Sequence, residues 1–180
     1  NSNNNTAQYI SSAPSGKSIE NFYDKPITDE KIALESIEAN RNKLGYVDKN
    51  FTFIYDEKDV SETAYHFDLY YKGLPVHSPV GIRGVSVITH LDNSADVLIT
   101  GVSDSEKIIK VNTTPKITQD ELKDIIKRQF SIEEDINWKL IVYETSEEYV
   151  LAYYIEYSFY IYIINAENGE IISSSSMLVS

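Results

Sequence analysis

Apolar residues recur along this chain at two spacings. Between Asp29 and Leu44, the residues Ala33, Ile37 and Leu44, joined by Ile32, fall close to one helical face. That predicts a first helix with Thr28 as its cap and Asp29 and Glu30 at the positive end of its dipole. Gly45 supplies a left-handed stop. A second stripe, Leu122, Ile125, Ile126 and Phe130, follows Thr118 and Glu121, which read as a capping box with Ile117 stapled onto Leu122. After each helix the period shortens to two. Four strands are expected after the first helix: Phe51–Tyr55, Ala64–Tyr71, Gly84–Leu91 and Ala95–Val102. In the second of these, Tyr65, Phe67, Leu69 and Tyr71 share one face, and His66, Asp68 and Tyr70 the other. Four more follow the second helix: Trp138–Glu144, Tyr149–Tyr157, Phe159–Asn165 and Glu170–Ser175. Ala166-Glu167-Asn168-Gly169 joins the last two, and its Asn-Gly pair predicts a type I′ turn with two positive φ angles.

The order is thus a helix and four strands, twice over. It predicts an α+β fold of two small modules, each a curved antiparallel sheet packed on one helix. The modules span residues 22–110 and 111–175, with a polar link near Lys110–Lys116 that carries Pro115. Helices do not alternate singly with strands, so a parallel doubly wound sheet is not expected. Residues 1–21 are polar without an apolar period and read as a flexible leader, and 176–180 as a tail. The first residue is not Met, which suits a processed protein whose signal peptide is gone.

Composition narrows the function. Among 180 residues, 28 acidic side chains outnumber 16 basic ones, for a formal charge of -12. Such a surface repels phosphate backbones and anionic lipid, so neither nucleic acid nor a membrane surface is an expected partner. No apolar run is long enough to cross a bilayer. With no cysteine, disulfides, thiolate nucleophiles and Cys-based metal sites are excluded. The 14 tyrosines favour strands.

Catalytic signatures are lacking. His66, His77 and His90 stand in no HExxH and at no i, i+4 helical spacing, and they read as surface or hydrogen-bonded groups; a three-histidine metal site stays open as a lesser alternative. Asp92-Asn93-Ser94-Ala95-Asp96 has the beginning of a calcium loop, but Val97 and Ser103 stand where Gly and Glu belong, and a hairpin turn is the better reading. The Ser173–Ser176 run has no nucleophile elbow. No catalytic, cofactor-binding or metal-binding residue is assigned, and a non-enzymatic binding, inhibitory or folding module is expected.

Two segments carry a family resemblance. Tyr65-His66-Phe67-Asp68-Leu69-Tyr70-Tyr71-Lys72-Gly73-Leu74-Pro75-Val76 resembles the fungalysin/thermolysin propeptide (FTP) motif, an aromatic strand followed by Tyr-x-Gly-x-Pro-Val, a further strand and a closing glycine, here Gly101. Leu151–Glu156 with Tyr160–Ile172 resembles the PepSY motif, in which Asn165 replaces the usual Asp before Ala166 and Gly169. Departures are His66 and Leu69, where Arg and Gln are common, and the insertion Ser78–Gly84. Together the segments resemble the prosegment of thermolysin-family (M4) metallopeptidases over roughly Asp29 to Ser174. The resemblance implies a cystatin-like, PepSY-like fold and a role as inhibitor and intramolecular chaperone of a secreted zinc peptidase, in cis or in trans, outside the cell or at its surface.

On that reading Tyr71, Gly73, Pro75, Val76, Gly101, Asn165, Ala166 and Gly169 are motif residues of the scaffold. Gly73 and Pro75 would shape a turn, and Gly101 would end a strand with positive φ. Met177, Leu178 and Val179 become candidate protease contacts in apolar subsites. The alternative is a free-standing surface or lipid-anchored bacterial protein with a regulatory or scaffolding role, its leader serving as spacer from an anchor upstream of Asn1.

Overall fold

A computed structural model of the chain describes residues 17–20, 23–60, 63–89, 98–101 and 104–177, the first and fourth of these stretches by backbone alone. In chain order the elements of the first half are β1 (Lys17–Glu20), α1 (Glu30–Ala39), α2 (Arg41–Leu44), β2 (Phe51–Tyr55), β3 (Ala64–Tyr71), β4 (Leu74–Ser78), β5 (Gly81–Ile82), β6 (Gly84–Ile88) and β7 (Leu98–Gly101). There follow α3 (Ser105–Ile108), α4 (Gln119–Phe130), β8 (Asn137–Glu144), β9 (Tyr149–Tyr157), β10 (Tyr160–Asn165) and β11 (Ile171–Ser176). The class is α+β, as expected.

The strands join in one sheet of order β1-β7-β6-β3-β4-β8-β9-β10-β11, with β2 also pairing β3 and β5 pairing β4. The strand sets of the two halves meet at β4 and β8, where Val76 lies opposite Val142 and His77 opposite Tyr143. That pairing is parallel, whereas the pairings within each half are antiparallel, and it joins the two expected sheets into one. It arises because β4 turns back from β3 and offers its second edge to β8. One main core crosses the join, taking in Ile37, Phe67 and Val76 as well as Leu122, Tyr153 and Ile164.

The helices show why sequence sets their ends. Asp29, not Thr28, caps α1, its carboxylate accepting the Ile32 N–H at 2.8 Å. The helix stops at Asn40, whose buried side-chain amide donates to the Ser36 carbonyl, and the turn α2 then closes on Gly45 at φ 87°. Around α4 both arms of the Thr118–Glu121 capping box form. Leu122, Ile125 and Ile126 are buried and Phe130 half-buried, each full burial contributing about 2 kcal/mol.

Turns account for the remaining differences. Lys72-Gly73 and Ser158-Phe159 both have two consecutive positive φ angles, the I′ pattern, and they join β3 to β4 and β9 to β10. Ala166–Gly169 does not form one. The Asn165 side chain accepts the Glu167 and Asn168 N–H groups, so the chain bends early and only Gly169 needs positive φ. A Cβ there would also lie 2.8 Å from Ile125 Cδ1, which ties this loop to α4. Gly84 is required for a different reason: a Cβ would meet the Phe67 carbonyl oxygen at 2.3 Å in the β3–β6 pair.

Within the expected leader, Lys17–Glu20 is a strand instead, because its backbone finds the open edge of β7. At the other end Ser176 belongs to β11, and the Met177 N–H donates to the Phe159 carbonyl, so the expected tail begins later. His90, the Asp92–Asp96 turn, Leu178 and Val179 lie outside the described residues.

Candidate functional site

Because strand side chains alternate, β8 to β11 have two faces. One is covered by α4 and belongs to the main core. On the other no helix packs among the described residues, and it carries its own small cluster, Ile141, Tyr143, Ala152 and Ile163, bordered by Val150, Tyr154, Ile161 and Ile172. Two cross-strand rows organise it. Lys139, Tyr154, Ile163 and Ser173 lie side by side, as do Glu156, Ile161 and Ser175.

The β4–β5 hairpin forms a wall beside these rows and closes a groove of about 400 Å³. Its tip is turned by Pro79 and Val80, with the Ser78 hydroxyl donating to the Gly81 carbonyl at 3.2 Å. Val80 is 89% exposed and Ile82 43%, so apolar surface faces solvent at the groove mouth. Across the groove, Lys139 Nζ sits 4.6 Å from the Tyr154 ring centroid, and the Tyr154 hydroxyl donates to Glu156 at 2.9 Å. Burial and that carboxylate push the Tyr154 phenol up to about 12. Lys139 and Glu156, the charged residues lining the groove among the described ones, are therefore both engaged on the same ring.

His77 also lines the groove. Its ring is 5.2 Å from that of Tyr154 and only 6% of the residue is exposed. Nε2 has no hydrogen-bond partner among the described residues. Burial, with Lys139 adding to it, lowers the imidazole to about 4, so at neutral pH it is uncharged and able to donate or accept one bond.

A second polar centre fastens the two halves. The Arg83 guanidinium, between β5 and β6, donates from Nε and Nη2 to Glu144 at the end of β8, and it lies over the Tyr149 ring. The Tyr149 hydroxyl donates to Asp104 at 3.0 Å. Burial raises the Tyr46 and Tyr149 phenols beside it, against the pull of Arg83. Arg83 is 6% exposed, and its Nη1 is a buried donor without a partner among the described residues. This cluster holds structure together, and its Tyr149 also lines a cavity of about 280 Å³ beside Lys110, Lys116 and Glu167.

No family model matches the chain, and no curated protein does. Among solved structures the Bacillus megaterium YpeB C-terminal domain is similar, at 16% identity over 87% of this chain and 70% of that one, with a TM-score of 0.37. A likeness so distant decides nothing about this chain.

The motif residues fall away from the groove and into the framework. Tyr71 is buried, its hydroxyl reaching the Ile109 carbonyl at 3.5 Å. Gly73 lies in a I′ turn, Pro75 lies opposite Tyr70 in β4, Val76 makes the join to β8, and Gly101 ends β7. Ala166 accepts the Lys116 and Ile117 N–H groups and so pins the link between halves to β10. Met177 is exposed beside Phe159, apart from the groove residues. His66 bonds Ser86 through Nδ1 at 2.6 Å and has Asp59 3.5 Å from Nε2. Among the described residues no three metal-binding side chains gather.

What sequence reasoning missed is the hairpin wall. The Ser78–Gly84 insertion, set aside as a departure from the motif, builds it and delivers Arg83 to the join. Two signals were present: Pro79 and Gly81 bracketing Val80, and a single charge inside the apolar run Gly81-Ile82-Arg83-Gly84-Val85.

Proposed function

We propose that the chain is a non-catalytic, prosegment-like module that acts outside the cell or at its surface. It binds a secreted zinc metallopeptidase, in cis or in trans, and inhibits it or assists its folding. The observation that supports this reading is the groove on the uncovered sheet face. It crosses β8 to β11, three interstrand spacings or about 14 Å, the length of about four extended residues. A channel of that length, lined by apolar groups together with Lys139, Glu156, Ser173 and Ser175, suits a polypeptide segment. Met177, Leu178 and Val179 are further apolar contacts on this reading.

The test is a titration of the purified chain against a thermolysin-like peptidase, native and unfolded, at micromolar concentration. Loss of peptidase activity or a higher refolding yield is expected. With a charge of -12, association with a neutral or basic partner should quicken at low salt. No inhibition and no refolding assistance would sink the proposal.

A further inference from the structure

A buried strand position normally holds an apolar side chain or a polar one whose bonds are made. His77 is neither. Its register partner Tyr143 and its ring neighbour Tyr154 are large and aromatic, and a leucine or phenylalanine in its place would leave no orphan nitrogen. His77 lines the groove, whose hairpin wall exposes Val80 and Ile82. Both features are unfavourable in the isolated molecule, and one occupant relieves both. It would cover the apolar mouth and bring a hydrogen-bonding group to the ring.

Shape and charge narrow that occupant. The groove runs across the strands, so an extended chain fits it lengthwise. The Ser173 and Ser175 residues at the far end from His77 can bond its backbone. Lys139 and Glu156 are engaged on Tyr154 and offset each other. The charge of -12 therefore sets the preference, repelling a second copy of the chain and any acidic segment.

We propose that this groove takes an extended, apolar segment of neutral or basic charge from the partner polypeptide, and that His77 Nε2 hydrogen-bonds the end of that segment beneath the β4–β5 hairpin. This rests on the reading of the chain as a module that holds a partner polypeptide. Nε2 is screened from solvent, so its bond to the segment forms as β5 and the Pro79–Val80 tip shift while β4 stays paired with β8. Two residue pairs hold that hairpin in register, His77 with Ile82 and Ser78 with Gly81.

The experiment uses the whole chain and a capped peptide, acetyl-Lys-Leu-Val-Leu-Lys-amide, with a Glu-flanked version as control. Amide and methyl NMR shifts are followed in titration. Shifts are expected at His77, Tyr154, Ile163 and Ser173, with the Lys-flanked peptide binding at least about tenfold tighter than the control. His77→Leu should fold with an unchanged or higher melting temperature and bind about tenfold more weakly, the loss of one hydrogen bond to a buried group. His77→Gln, which keeps a donor and an acceptor, should recover part of the loss.

Shifts that avoid the groove, or equal affinity for parent and His77→Leu, would overturn the proposal. So would a groove filled by a second copy, seen as concentration-dependent sedimentation that the peptide leaves unchanged. Peptide binding in the groove without any effect on a peptidase would remove only the peptidase. Inhibition that His77→Leu leaves intact would remove only the groove.

Discussion

Two faces of the same four strands, β8 to β11, have been put to different use. On the inner face Tyr153, Ile155, Tyr162 and Ile164 are sealed under α4, and the Tyr153 hydroxyl donates to the Ile117 carbonyl at 2.5 Å. On the outer face Ile161 and Ile163 alternate with them along β10, yet the covering there is a short hairpin, and a buried ring nitrogen is left unpaired. Along β10 itself the residue types hardly differ. What differs is whether anything in the chain completes the burial. A face completed by its own helix is scaffold, whereas a face completed only in part is available to something else.

Paired substitutions on β10 test that contrast most strongly. Ile164→Ala should cost about 4 kcal/mol, because a fully buried side chain leaves a cavity that α4 cannot collapse into. Ile161→Ala, half-buried on the other face, should cost about 1 kcal/mol. Denaturant unfolding of the two variants gives the difference directly. Equal costs would mean that the outer face is packed as firmly as the inner one.

The join between the halves should come next. Glu144→Gln leaves the Arg83 guanidinium buried without its counter-charge, a change that costs about 3 kcal/mol. Replacing Arg83 and Glu144 together by Met and Leu should recover most of that loss. The groove peptide should bind the refolded Glu144→Gln variant as it binds the parent, since the ion pair does not line the groove. A loss of peptide affinity without loss of stability would tie the join to the groove.

These two regions were not equally legible. The scaffold could be read because its signals are local. β2, β3 and β9 begin and end where the period-2 pattern begins and ends, and the Thr118–Glu121 box marks α4 to the residue. Where two cap formers stand together, as at Thr28 and Asp29, spacing alone does not choose between them. β4 and β5 were hidden by Gly73, Pro75, Pro79 and Gly81, breakers dense enough to read as loop. The Ser158-Phe159 turn carries none of the residues that announce positive φ. The groove itself was unreadable. Its members come from β4, β5 and β8 to β11, and the β4–β8 pairing that assembles them joins residues more than sixty positions apart in sequence.

Acidification separates the faces by charge. The His77 imidazole titrates near 4 in the folded chain against an ordinary 6.5. Above 6.5 it is neutral in both states, and below that the unfolded chain takes up the proton first. Stability is therefore full above 6.5 and falls as pH drops toward 4, by about 2 kcal/mol between pH 7.5 and pH 5. The titratable groups around the ring are Lys139, Tyr143, Tyr154 and Glu156. His77→Leu should remove this slope. Taking the difference between parent and variant also cancels Asp68, whose raised pKa works in the opposite direction. A slope unchanged in His77→Leu would place the sensitive group elsewhere.

The smallest expected effect is the most discriminating. Val80 stands almost wholly in solvent at the hairpin tip, so Val80→Ser removes little buried surface, and stability should change by less than about 0.5 kcal/mol. If the outer face waits for an occupant, the same substitution should weaken the groove peptide severalfold, because Val80 is buried only in the complex. Thermal unfolding and the NMR titration together read both quantities. A stability loss above about 1 kcal/mol would show the hairpin tip already packed as scaffold, and the contrast between the faces would fail at its most exposed residue.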